Sequence, residues 1–395
     1  MPAVRRRSRL VPCALLVGLA WLLAGCGGDG NPSQPAGGGD QGGGSDLPPC
    51  PATAFLTESP VTPADIQSIV GLGNVNPPGH ICPTDHVYFY LRMDPGDYSA
   101  PVETDLWCPG DLVVTRIEAV EHAEGGLTDF TINLQPCDDI TVLFGHVTSL
   151  DSTLFGDTSD HTGWRLDSEY TAGGQVYRTW SLDLHLPVTA GEHLGTVGGN
   201  AGQFALDMGL YDLSRPPATM ASARWDGEWY LYARCPLRYY EPGAVLDSLE
   251  ARVHVTADAD VPEHWCGILH DDIAGTLQGC WFVAGSTLTY PGSNDISFTH
   301  WNQDPAHCLI GVGTAVPTVP PEAYMFLPQA TGLLNREFAD VTPNGRIYGF
   351  QTATGGGPLI LVRMVSADTL WIEGIDRDTP PEQWAFDDER SVFVR

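Results

Sequence analysis

The sequence predicts a mostly β protein, an antiparallel β-sheet domain followed by a second β-rich domain, and three observations carry that prediction. β-branched and aromatic runs recur along the chain, clusters of Gly, Pro and Asp separate them, and few stretches have the spacing of an amphipathic helix. Val87, Phe89 and Leu91 alternate with His86, Tyr88 and Tyr90, the pattern of a strand buried on one face. Residues 112–120, 130–134 and 140–144 read as further short strands, and 345–350, 359–365 and 369–373 repeat the habit in the second half. The best helical candidate is 63–70. No internal repeat of fixed period is present.

The first residues have a different character. Arg5, Arg6, Arg7 and Arg9 precede an apolar run over 10–23, broken only by Pro12, Cys13 and Gly18. Fourteen residues suit the core of a secretion signal and are too few to span a bilayer. The run ends in Leu23-Ala24-Gly25-Cys26, which resembles the lipobox of bacterial lipoprotein precursors. That resemblance implies a signal peptide at 1–25 and a diacylglyceryl group on Cys26, each buried methylene adding roughly 0.8 kcal/mol of membrane affinity. Residues 26–49 are almost wholly Gly, Asp, Ser, Gln, Asn and Pro, a flexible tether with no apolar periodicity. Gly27, where inner-membrane retention favours Asp, directs the expectation to the outer membrane.

Composition narrows the partners. The chain has no lysine, and its 19 basic residues, all arginine, face 49 acidic ones for a net charge of −30. Loss of 1–25 removes four arginines and no acids, leaving about −34. Such a field repels nucleic acid and anionic headgroups, so the expected membrane contact is the lipid anchor alone. Beyond Cys13 and Cys26 there remain Cys50, Cys82, Cys108, Cys137, Cys235, Cys266, Cys280 and Cys308. An even number in an exported chain predicts up to four disulfides, and the absence of a C-x-x-C pair argues against a thiolate zinc knuckle. A boundary at 213/214 leaves four cysteines on either side, so each domain, 50–213 and 214–395, would close its own bridges.

Three segments of the first domain concentrate chemistry: "GHICPTDHVYF" at 79–89, "VLFGHVTSL" at 142–150 and "VTAGEHLGTVGGNAG" at 188–202, followed by a strand at 205–212. In that order they resemble the lysostaphin-like (LytM-type) zinc endopeptidases that cut peptidoglycan cross-bridges. The resemblance covers about residues 70–213. It implies a zinc ion held by His80, by His86 or Asp85, and by Asp207, with His146 assisting the attacking water. It implies peptidoglycan or a surface peptide as substrate. The family's closing His-x-His is here Ala205-Leu206-Asp207, so one catalytic histidine is missing and its second ligand is a carboxylate. The first segment also spaces its histidine and aspartate more widely than the family does.

The residue chemistry stands beside that resemblance. Two imidazoles and one carboxylate are an acceptable zinc set. Asp207 lies between Leu206 and Met208, where a buried carboxylate demands a partner. The expectation is a retained metal with weak or absent turnover, or a non-catalytic binding or structural module on the same scaffold. His193, His185, His161 and His122 read as surface residues. In the second domain, His264, His270, Asp271, Asp272, His300 and His307 read as loop residues, and the aromatics at 225–232 and 239–240 as packing at the domain junction. No nucleophile elbow, phosphate loop or dinucleotide fingerprint is present.

Overall fold

A computed structural model describes residues 47–122, 128–157, 161–172, 175–225, 229–254, 266–267, 269, 272–287, 292–352 and 356–395. The signal segment, Cys26, most of the tether, His264, His270 and Asp271 lie outside the described residues. The protein is mostly β, with its strands paired antiparallel.

The first sheet draws on β1 (Ile66–Val70), β2 (His86–Leu91), β5 (Thr104–Trp107), β6 (Leu112–His122), β7 (Thr128–Cys137), β8 (Ile140–Leu150), β9 (Arg165–Ala172), β10 (Gln175–Val188), β11 (His193–Val197) and β12 (Ala205–Asp212). A small ribbon of β3 (Met93–Asp94) and β4 (Asp97–Pro101) stands apart. The spatial order is β1-β2-β12-β8-β7-β6-β10-β9, with β11 joining β5 to β8. The late strand β12 therefore inserts between β2 and β8, which is what brings the chemistry together. The predicted alternation of β2 is realised: Val87, Phe89 and Leu91 are buried in the core, and His86, Tyr88 and Tyr90 register on the opposite face beside Gly209, Asp207 and Ala205.

The expected helix at 63–70 is not formed. Pro63–Asp65 makes one 3-10 turn, and Ile66–Val70 is strand β1. Ile66 and Ile69 are buried, at roughly 1.5–3 kcal/mol each. Helix propensities differ by less than about 0.7 kcal/mol per ordinary residue, so pairing with β2 wins.

The second sheet comprises β13 (Gly279–Val283), β14 (Ile296–Trp301), β15 (Asp304–Val312), β16 (Ala323–Phe326), β17 (Tyr348–Phe350), β18 (Leu359–Ser366), β19 (Thr369–Ile375) and β20 (Ser391–Val394). Its order is β16-β15-β14-β13-β20-β19-β18-β17, over a core that includes Trp281, Phe298, Phe338, Phe350 and Phe393. His300 and His307, expected in loops, sit on β14 and β15.

The two sheets share more than the sequence implies. Cys235, Leu237, Tyr240, Leu249 and Cys266 are buried in the first core, so it reaches well past residue 214. A third cluster lies between the sheets and joins Cys82 and Tyr211 to Trp225, Trp229, Tyr230, Cys280 and Phe282. The disulfides are Cys50–Cys137, Cys235–Cys266 and Cys82–Cys280. The last crosses from one sheet to the other, which overturns the expectation of bridges closed within each domain. Cys108 and Cys308 stay as buried thiols, and burial pushes the Cys108 thiol up to about 12.

Candidate metal centre

Three strands and one loop build the centre. Asp207 sits in the middle of β12, opposite Tyr88 on β2 and Gly145 on β8. Gly145 lies against it, and a Cβ there would make ordinary contact with the Asp207 Cβ at 3.4 Å. His146 follows at a bulge: Phe130 pairs with Val147 and Ile132 with Phe144, so Gly145 and His146 of β8 face Thr131 alone on β7. His146 has φ of 61°, an uncommon backbone for a residue with a side chain. Bulges re-aim side chains, and here the bulge turns the imidazole over Asp207.

The result is convergence on one oxygen. His86 Nε2 and His146 Nε2 each lie 3.3 Å from Asp207 Oδ2. Behind each ring stands a second carboxylate: His86 Nδ1 is 2.9 Å from Asp85 Oδ1, and His146 Nδ1 is 2.8 Å from Asp129 Oδ2. An ionised carboxylate only accepts, so both Nδ1 atoms carry hydrogen and donate. In the neutral rings, Nε2 then presents a lone pair toward Asp207, acceptor against acceptor. That arrangement asks for a positive charge between them.

In the metal-free protein, protons on the imidazoles supply that charge. Burial opposes charge on His86, yet Asp207 and Asp85 outweigh it and push the imidazole up. Burial likewise opposes His146, and Asp207 with Asp129 pushes it up further. Burial works against the Asp207 charge, but His86 and His146 hold the carboxyl at about 2. His80 behaves differently: burial first, then the neighbouring His86, lowers it to about 4, so it is neutral near neutral pH. Its ring packs edge-on to His86 at 5.3 Å and to Tyr88 at 6.1 Å between centroids.

Of the residues singled out in sequence, His80, His86, His146 and Asp207 come together. Asp85 does not face the centre. One oxygen serves His86, and the other accepts from the Tyr211 hydroxyl at 3.1 Å. Asp129 was missed, because nothing local distinguishes it from any acid at a strand start. Ala205 packs with Val70, Tyr88 and Tyr90 in an apolar patch. His185 is exposed, but His193 is half-buried between Asp105 and Asp151.

His86, His146 and Asp207 offer zinc-type donors around one oxygen, although the ligand atoms of the three do not all lie within 4.8 Å of one another, as those of His300, Cys308 and Glu337 in the second sheet do. His86 Nε2 and Asp207 Oδ1 are buried and receive no hydrogen bond. The paired carboxylate–imidazole braces are the usual outer partners of metal-bound histidines. The loop holding His80 is itself anchored from the second sheet. The Ser297 hydroxyl donates to the Ile81 carbonyl at 2.5 Å, Asn302 Nδ2 to the Gly71 carbonyl at 3.0 Å, and Cys82 is bridged to Cys280. Comparison with known proteins found no matching family model, no matching curated protein and no matching solved structure.

Proposed function

We propose that this chain is a lipid-anchored protein of the outer membrane whose first domain holds a degenerate lysostaphin-type zinc centre, with weak or absent hydrolysis of peptidoglycan. The observation that supports the centre most is the pair of carboxylate-braced imidazoles, His86 and His146, aimed at one oxygen of Asp207. Two imidazole nitrogens and a carboxylate oxygen are a zinc set, and His80 stands beside them as a further donor. When bound in such a set, zinc lowers the pKa of a coordinated water toward ~7 and polarises a carbonyl.

The chain's own residues define the rest. Asp85 and Asp129 fix the tautomer and tilt of their histidines. His80, neutral near pH 7, has a ring nitrogen able to take a proton. At position 205 there is a methyl group among tyrosines and no second imidazole, so proton transfer to a leaving group lacks support. This reallocates His146 from the family's water-assisting role to the metal's inner set.

Ala205 also favours the second reading, a non-catalytic module that binds metal and a surface peptide without cutting it. One series of experiments separates the readings. Elemental analysis of purified protein should find zinc at this centre, lost in Asp207→Ala and His86→Ala. Incubation with peptidoglycan should free few or no new amines, and Ala205→His should raise that yield. Abundant amine release by the unaltered protein, not raised by Ala205→His, rules out the degenerate reading, and absence of metal from the wild-type centre removes the centre itself.

A further inference from the structure

A second set of donors lies in the other sheet. His300 on β14 and Cys308 on β15 are direct register partners. Glu337, at the entrance to a 3-10 turn spanning Phe338–Asp340, reaches over both. Its Oε1 is 3.1 Å from His300 Nε2 and 3.5 Å from Cys308 Sγ. The three donor atoms lie within 4.8 Å of one another.

Glu337 Oε1 also accepts the Phe338 backbone N–H at 3.0 Å. One oxygen thus meets three potential donors, more than its two lone pairs serve well. The floor is apolar and rigid: Cys308 is fully buried, and Phe338 packs against Phe298 and Phe326 with centroids 5.3 and 5.5 Å away. The mouth is open, for the His300 and Glu337 side chains keep 26% and 29% exposure, enough for an ion to enter. Six cysteines are in bridges, whereas the Cys308 sulfur is a thiol turned to Glu337.

We propose that His300, Cys308 and Glu337 form a second metal site, for a thiophilic ion of the zinc class. Sulfur, nitrogen and oxygen from three side chains match zinc with one position left for water, and a thiolate disfavours magnesium and calcium. On binding, the Cys308 S–H bond breaks, its proton leaves to solvent, and the sulfur lone pair bonds the ion. The Phe338 N–H then keeps Glu337 oriented from behind. The first centre has no sulfur among its donors, so the two sites are spectroscopically distinct.

Cobalt(II) titration of the purified protein tests the proposal. The expected result is a thiolate-to-cobalt charge-transfer band that Cys308→Ser abolishes, with loss of one bound equivalent. Asp207→Ala and Cys108→Ser should leave the band intact. Glu337→Gln, which keeps the shape of the site, should weaken binding at least tenfold, and a melting curve in chelator identical to wild type shows that it folds. A protein that binds cobalt without a sulfur band, or a band that survives Cys308→Ser, overturns the proposal without touching the first centre.

Discussion

The brace behind His146 gives the sharpest test of the first centre. Asp129→Asn keeps the size and an accepting oxygen but removes a charge. The 2.8 Å contact to Nδ1, the width of the ring and a metal–nitrogen bond of about 2.0 Å set that charge roughly 6–7 Å from an ion on Nε2. At an effective dielectric of ~20, one carboxylate charge and a doubly charged ion at that separation are worth about 4.7–5.5 kcal/mol. The Asp129 side chain is 25% exposed, so solvent trims this toward the 10–100-fold loss of affinity usual for an outer brace, or about 1.4–2.8 kcal/mol. Competition against a chromophoric zinc chelator measures it. Asp105→Asn is the control, since that carboxylate braces His193 and lies outside the centre. Zinc affinity within twofold of wild type for Asp129→Asn would refute His146 as a ligand.

Other outcomes follow from the same geometry. In the metal-free protein, His86 and His146 are raised above 6.5, so their contribution is complete below that value and is lost as pH climbs through the folded values. The melting temperature in chelator should therefore fall from pH 6.5 upward, and excess zinc should flatten the decline. A double Cys82→Ser, Cys280→Ser variant opens a crosslink between residues 198 apart, with a chain-entropy ceiling of about 5 kcal/mol. Denaturant unfolding should show a loss of roughly 2–5 kcal/mol, and zinc affinity should drop with it because the His80 loop loses its anchor. Gly195 has φ of 152°, and a Cβ there would collide with the Ser149 carbonyl, so Gly195→Ala should cost at least ~1–3 kcal/mol, read by thermal melting.

Local pattern made part of this legible. The two-residue period of 86–91 identified a half-buried strand, and the same alternation put His86 on the face away from the core. Asp207 between two apolar neighbours announced a carboxylate in need of a partner. What sequence could not supply was non-local. β1 is a strand only because β2 lies beside it, the bulge at His146 exists only as an offset between β7 and β8, and Asp129 acquires meaning only once that bulge turns a ring toward it. Cysteine counting failed for the same reason: Cys82 and Cys280 meet across a junction that no spacing along the chain encodes. His300 read as a loop residue and Cys308 as a disulfide candidate until the β14–β15 register set them face to face.

The attachment of Ile81 and Cys82 to Ser297 and Cys280 governs when the molecule can become complete. A chain made from its amino end has His86, His146 and Asp207 in hand by residue 207, while the seat for the His80 arm is still unwritten. In the proposed centre the four donors are all held in place only once Cys280 and Ser297 have been made. A chain stopped before Cys280 would carry the proposed centre without an anchor for its fourth arm.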